Sequence, residues 1–223
     1  MSTLYLVSTP IGNMGDITLR ALDILSEVDL ILAEDTRKTG QLLSKHSIKK
    51  RLESFHEHNE EIKIDSILTK LKSKQDIALV SDAGTPLISD PGYKLIREAI
   101  KIGIKIVSVP GASAVTAALI ASGLPTDKFI FLGYFPKKKS KQEQTLKLLQ
   151  SLWSQVRITA VFFDSPFRVR KTLDTINAMF PEIDVVLARE ITKIHEEFVR
   201  GKVKDVVAKN LKTKGEFTLL LKQ

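Results

Sequence analysis

The stretch that decides the fold runs from Ile77 to Gly92 and reads I-A-L-V-S-D-A-G-T-P-L-I-S-D-P-G. Its first four residues, Ile77-Ala78-Leu79-Val80, are a short apolar run of the kind that forms a strand buried on both faces of a parallel sheet. The pattern then breaks. Pro86 and Pro91 lack the N–H a ladder needs, and Gly84 and Gly92 favour turns, so the strand cannot continue. Helical periodicity resumes at Tyr93. In open α/β sheets the ligand crevice lies beyond the carboxyl ends of the strands, which is where this loop falls. Connections usually run to about 4–6 residues, and this one is roughly twice as long, which favours a functional loop over a plain connection.

Composition sets the bounds. The 223 residues suffice for one large or two small domains, and 43% hydrophobic with 27% charged residues describes a globular chain. No window approaches the ~18 uncharged apolar residues that span a bilayer. The amino terminus, M-S-T-L-Y-L-V-S-T-P, lacks the basic and long apolar regions of a signal peptide. There are no cysteines, which excludes disulfides, thiolate metal sites and a cysteine nucleophile and fits a cytoplasmic protein. Lys and Arg number 34 against 26 Asp and Glu, a net charge of +8. That surplus fits a polyanionic partner, nucleic acid first, or a lysine-rich composition whose charges are simply solvated.

Outward from the central loop, strands and helices alternate. Thr3–Ser8 reads as the first strand and residues 9–16 as a glycine-bearing turn. Thr18 or Asp16 then caps a helix with Leu19, Leu22, Ile24 and Leu25 on roughly one face. Leu30–Ala33 is a second buried strand that ends in Glu34-Asp35-Thr36-Arg37. His56 and His58 invite a metal reading, but no third ligand is placed by spacing; Asn59 as cap of a helix over 62–71 suits them better. Strands are also expected over 51–55, 104–109, 129–132, 158–163, 185–188, 198–201 and 215–221, with helices at 94–101, 114–121, 142–152, after Arg168 to Met179, and 204–210. The division this predicts is an α/β domain over 1–112 with a mainly parallel sheet, then a mixed α/β domain over 113–223.

Four polar clusters follow buried strands: Glu34–Arg37, Asp82–Asp90, Asp164–Arg168 and Arg189–Lys193. Carboxylates so placed can accept from ribose hydroxyls or serve as a general base, and glycine turns expose backbone to a ligand. A G-x-G-x-x-G fingerprint, a G-x-S-x-G elbow and a P-loop are all absent, which counts against dinucleotide enzymes, serine hydrolases and P-loop NTPases. Lys137, Lys138, Lys139 and Lys141 beside Tyr134 and Phe135 read either as a nucleic-acid contact or as a solvated helix start.

Several segments together, T-P-I-G-N-M-G-D-I-T-L-R-A, A-E-D-T-R, V-S-D-A-G-T-P-L-I-S-D-P-G, V-P-G-A-S-A, F-D-S-P-F-R and A-R-E-I-T-K-I-H-E-E, carry a resemblance. They resemble the ribosomal RNA small subunit methyltransferase I branch of the tetrapyrrole (corrin/porphyrin) methylases, in order and over almost the whole chain. The resemblance implies S-adenosylmethionine-dependent 2′-O-methylation of a cytidine in the decoding region of 16S rRNA. It also implies a homodimer acting within the small ribosomal subunit, no membrane, and a two-domain α/β fold with the cofactor in a cleft between the domains. By motif, Pro10, Gly12, Asp82, Ala83, Gly84, Thr85, Ser113 and Ala114 fall to the cofactor, with Phe163 and Thr218 from the second domain. Ser81-Asp82-Ala83 stands where the wider superfamily has Gly-Asp-Pro.

Methyl transfer to a ribose hydroxyl needs positioning and a base, and no metal in principle. Asp35 or Glu34 is the expected base and Glu190 an orienting group. Arg37, Arg168, Arg189, Lys137, Lys138 and Lys139 are the expected substrate contacts. Members of the branch typically continue past the last strand, whereas these residues stop at Gln223, which puts RNA affinity in question. Two other readings remain: a small-molecule methylase of the tetrapyrrole type, and a non-catalytic RNA-binding protein on the same fold.

Overall fold

The computed structural model describes residues 2–223 and forms two compact units that divide after Ser113. In the first, a parallel five-stranded sheet is built from β1 (Thr3–Val7), β2 (Leu30–Ala33), β3 (Leu52–Ser54), β4 (Ile77–Val80) and β5 (Lys105–Val109). Their order is β3-β2-β4-β1-β5, so β4 lies between the first two strands of the chain. The loop after β4 therefore opens at the middle of the sheet's carboxyl edge.

Helices α1 (Leu19–Glu27), α2 (Thr36–Lys45), α3 (Glu60–Lys72) and α4 (Tyr93–Lys101) cover the sheet in pairs. Alternate strand residues face opposite sides. Leu4, Leu30, Leu32, Ile77 and Leu79 pack with Ile67 and Leu71 of α3 and Leu95 and Ala99 of α4. Val7, Ile31, Ala33, Ala78 and Val80 pack with Ala21 and Leu25 of α1 and Leu43 of α2. That is why β2 and β4 read as unbroken apolar runs: both faces are buried.

Several local expectations need correction. Leu19 does not join the buried face of α1 but is 81% exposed, because the Thr18 cap starts the helix there and turns that position outward. Asp16 is not the cap; it ends a 3-10 turn, Met14–Asp16, which Asn13 caps. Asn59 precedes α3 without a capping hydrogen bond. Its side chain instead accepts from the His56 N–H at 2.9 Å and donates to Ser54, closing the turn that carries both histidines.

The second unit is mixed. Strands β6 (Phe129–Tyr134), β7 (Thr159–Asp164), β8 (Asp184–Arg189), β9 (Glu197–Lys202) and β10 (Phe217–Lys222) take the order β6-β7-β10-β8-β9. The β6–β7 pair is parallel; β10 is antiparallel to β7 and β8, and β9 to β8. Helices α6 (Lys139–Trp153), α7 (Val169–Met179) and α8 (Val203–Val207) pack on one face against Ala160, Phe162, Val185, Leu187, Leu219 and Leu221. Helix α5 (Ala114–Ser122) lies on the other face, against β7, β8 and β10. Helix α6 begins three residues before the expected Gln142: Lys138 occupies its cap position without a capping side chain, so the sequence carries no start signal there.

Candidate active site

At the carboxyl edge of the first sheet, hydrogen bonds tie the loops after β1, β4 and β5 together. Thr9 and Gly84 exchange both backbone bonds, at 2.9 and 3.0 Å. The Thr9 hydroxyl donates to the Ser81 carbonyl, and the Ser81 hydroxyl to the Gly84 carbonyl. A second relay runs from the Ser8 hydroxyl to Thr85 Oγ1 at 3.1 Å, and from that hydroxyl to the Ala112 carbonyl at 3.2 Å. Gly84 takes φ +87°, and a Cβ on Gly111 would stand 2.9 Å from the Ser8 Cβ, so both glycines are required by the close approach of these loops.

The loop after β4 is also strained. Leu87 and Ser89 both adopt left-handed backbone, φ 71° and 70°, at a cost of roughly 1–2 kcal/mol each for residues with a Cβ. Strain of this kind persists where the surroundings over-determine it, as functional loops do.

Asp82 links this loop to the neighbouring one after β2. Its Oδ1 accepts the Asp35 N–H at 2.8 Å and its Oδ2 the Lys38 ammonium at 2.7 Å. Asp35 caps α2: its Oδ1 accepts both the N–H and Nε of Arg37, and its Oδ2 accepts Nη2 at 2.7 Å. These bonds from Arg37 hold the Asp35 carboxyl well below the usual carboxylate range. Lys38 is a partner the sequence did not reveal, because its carboxylate lies 44 positions away.

Asp90 behaves in the opposite way. Burial, then the nearby Glu34 and Asp82 charges, push its carboxyl up to about 6 from the ordinary 3.8, against a hydrogen bond with the Ser81 hydroxyl. The folded state thus holds this proton more tightly than the unfolded chain. Its contribution to stability is full below pH 3.8 and is lost as pH rises through about 6. Asp90→Asn is therefore expected to raise the melting temperature at pH 7.5 but hardly at pH 4. A melting series across that range checks this, and a pH-independent offset would refute it.

Of the expected cofactor residues, Pro10 and Gly84 are buried, Gly12 and Ala83 are exposed, and Asp82, Thr85, Ser113 and Ala114 are half-buried. All belong to loops or helix starts beyond strand carboxyl ends. In the second unit Thr218 pairs with Phe163 across β10 and β7. The Phe163 ring meets Phe131 and Tyr134 edge-on, with centroids 4.9 and 5.6 Å away.

The two basic–acidic clusters of that unit turn out to be cross-links. Arg168 Nε donates to Asp164 Oδ1 at 2.7 Å, and the Asp164 side chain is wholly buried. Arg189, expected at the substrate, is buried; its Nε donates to Glu197 and its Nη1 to the Lys214 carbonyl. Glu190 Oε1 accepts the Glu216 N–H and the Lys193 ammonium, which hold its carboxyl below the usual range. Lys137, Lys138 and Lys139 are exposed at the start of α6.

Residues 3–207 match the family of Tetrapyrrole (Corrin/Porphyrin) Methylases. Two solved structures share the fold: diphthine synthase (TM-score 0.77, 16% identity, 99% of this chain and 90% of that one) and uroporphyrin-III-C-methyltransferase from Thermus thermophilus (0.68, 18%, 100% and 94%). The chain belongs to the tetrapyrrole methylase family. Among curated relatives it is similar to proteins named ribosomal RNA small subunit methyltransferase I. The Thermotoga maritima protein is 49% identical over 99% of this chain and 98% of its own length. That of Halalkalibacterium halodurans is 46% identical over 98% and 75%, and that of Escherichia coli O157:H7 45% over 98% and 77%. No helix of the described residues is long and apolar enough to cross a membrane, and no cluster of potential metal ligands occurs among them.

Proposed function

We propose that this chain transfers a methyl group from S-adenosylmethionine to the ribose 2′-hydroxyl of a cytidine in the decoding region of 16S rRNA. The observation that carries the proposal is the match, over nearly its full length, to relatives named for methylating the small-subunit ribosomal RNA. The +8 charge suits such a substrate better than a small tetrapyrrole. The substrate is the small ribosomal subunit or its RNA, in the cytoplasm, and the protein acts as a homodimer.

The loops fit the cofactor electrostatically. S-adenosylmethionine carries a sulfonium and an ammonium against one carboxylate. Glu34, Asp82 and Asp90 place three carboxyl groups at that edge, and the Glu34 and Asp82 charges add to the burial that raises Asp90. Small side chains at Gly12 and Ala83, both exposed, leave backbone polar groups near the surface of that edge. When bound, the cofactor supplies the electrophilic methyl. Pro10, Gly12, Ala83, Gly84, Thr85, Ser113 and Ala114 position it from the loops tied together above.

The chain must also take up the proton that the hydroxyl loses. Asp35 is a weak base, because both its oxygens accept from Arg37. Glu34 is the better candidate, with Asp35 fixing the start of α2 and Arg37 offering its exposed face to a phosphate. Glu190 acts by fixing the turn after β8. Glu34→Gln is expected to cut turnover at least ~100-fold with an unchanged fold, as for loss of a general base, and Asp35→Asn, which keeps a cap, by less than about tenfold. Equal losses, or none for Glu34→Gln, would remove Glu34 from this role.

The test of the function itself is transfer of labelled methyl from S-adenosylmethionine to undermodified 30S subunits and to free 16S rRNA, with the modified ribose mapped. Cofactor binding without transfer to either substrate would overturn the proposal and favour the binding-only reading.

A further inference from the structure

We infer that the carboxyl edge of β6 and β7 is a docking surface for an unpaired RNA strand, with Phe167 as the platform on which a nucleobase stacks. The inference rests on the RNA-methylation reading above and adds to it a surface, a strand state and a specific contact.

Phe167 is 94% exposed, and its ring has no partner among the described residues. It stands in the turn between β7 and α7. Its N–H reaches Ser165 Oγ, Pro166 precedes it, and the buried Asp164–Arg168 pair brackets it. A flexible loop tip with an apolar residue would be unremarkable, since single exposed apolar residues are common. A ring wholly in water beside a field of cations is a different arrangement.

The cations come from both neighbouring loops. Lys137, Lys138 and Lys139 are exposed, as is Arg170, and none of the four forms an ion pair among the described residues. By contrast Lys38, Lys63, Lys70, Lys94 and Lys101 are each neutralised by a carboxylate. The topology brings the ring and the lysines to one edge. β6 and β7 are parallel neighbours, with Tyr134 opposite Phe163, so the segments that leave them emerge side by side. A hydrogen bond of 3.1 Å from Thr175 on α7 to Gln142 on α6 keeps the two following helices together. The carboxylate that ends β7, Asp164, is buried and committed to Arg168.

Unpaired cations beside an exposed aromatic face match a chain of phosphates with accessible base faces. Base stacking on an aromatic ring contributes about 1–3 kcal/mol per base by alanine substitution, and lysines follow the backbone. A duplex offers no such face, because its bases are stacked on one another and it is recognised by shape. The occupant is therefore single-stranded RNA, and the lysines make the contact salt-dependent.

The test uses the full-length protein and a fluorescein-labelled, unstructured oligoribonucleotide carrying the decoding-region sequence. Phe167→Ala is expected to weaken binding about tenfold, in line with the loss of one stacked base, without changing the salt slope or the melting temperature. Phe167→Trp should bind as tightly as the unaltered protein, and its added indole emission should be quenched as RNA is titrated in. Replacing Lys137, Lys138 and Lys139 with glutamine should lower the salt slope by about 2, at ~0.7 per phosphate on a single strand. Unchanged binding in Phe167→Ala would overturn the inference, as would absence of quenching in Phe167→Trp or a preference for an acidic peptide over the oligonucleotide. The function stands or falls separately. Methyl transfer with no Phe167 effect rejects this surface alone, whereas a Phe167 effect without methyl transfer rejects the catalytic reading alone.

Discussion

Arg168→Ala is expected to lower the unfolding free energy of the second unit by about 3–5 kcal/mol, the cost of stranding a buried charge. Asp164 sits at the end of β7 with its side chain fully buried, and Arg168 at the start of α7 is only 17% exposed. Without the guanidinium, the carboxylate keeps a single bond, from the Ser165 N–H at 2.7 Å. The pair is already incompletely satisfied, since Asp164 Oδ2 and Arg168 Nη1 have no hydrogen-bond partner. It is therefore not a reservoir of net stability; the penalty arises from breaking it on one side. The distinction can be measured. Adding Asp164→Asn to Arg168→Ala should recover a large part of the loss, because a neutral amide needs no counter-charge. Urea unfolding of the two variants beside the unaltered protein settles the point, and an Arg168→Ala cost below about 1 kcal/mol would mean that the pair is effectively solvated.

Asp82→Ala is expected to slow methyl transfer through loss of a link between two loops. Its carboxylate is the only side-chain bridge described between the loops after β2 and β4, through the Asp35 N–H and Lys38. Loss of hydrogen bonds to a charged group costs about 1.5–3 kcal/mol, which amounts to roughly a ten- to hundredfold fall in methyl transfer if that energy positions the cofactor and base. The two arms are unequal. Lys38 is 61% exposed, so that ion pair is solvent-screened and Lys38→Met should cost less than about 1 kcal/mol. Asp82→Asn, which retains an acceptor for the Asp35 N–H, should fall between the two. Steady-state rates at varied S-adenosylmethionine, with cofactor binding by calorimetry, test the order. Wild-type kcat and KM in Asp82→Ala would show that the bridge is irrelevant to the reaction.

Much of this was legible beforehand for a plain reason. β2 and β4 are buried on both faces, and burial on both faces leaves an unbroken apolar run that ends where the polar loop begins. The loop residues 81–92 announced themselves by proline, glycine and paired carboxylates, whose backbone constraints are local. Helix starts fared unevenly. Thr18 capped α1 as its chemistry allows, whereas α6 began without any capping side chain and left nothing to read.

What remained hidden was which partners the folded chain gives each charged group. Asp35 reads as a reactive carboxylate, yet its neighbour Arg37 claims both oxygens and the helix claims it as a cap. Arg189 reads as a free cation, yet it is buried between Glu197 and the Lys214 carbonyl.

By itself, then, the sequence determined the alternation of strands and helices, the polar loops at strand ends and the family, because these rest on periodicity, turn chemistry and local motifs. The tertiary structure alone decided that β4 enters between β1 and β2, which brings Asp82 to Lys38 and Asp35 and raises Asp90 beside Glu34. Charge interactions fall off with distance in space and not along the chain, so which carboxylate is pinned and which is poised is settled only once the strands are in order.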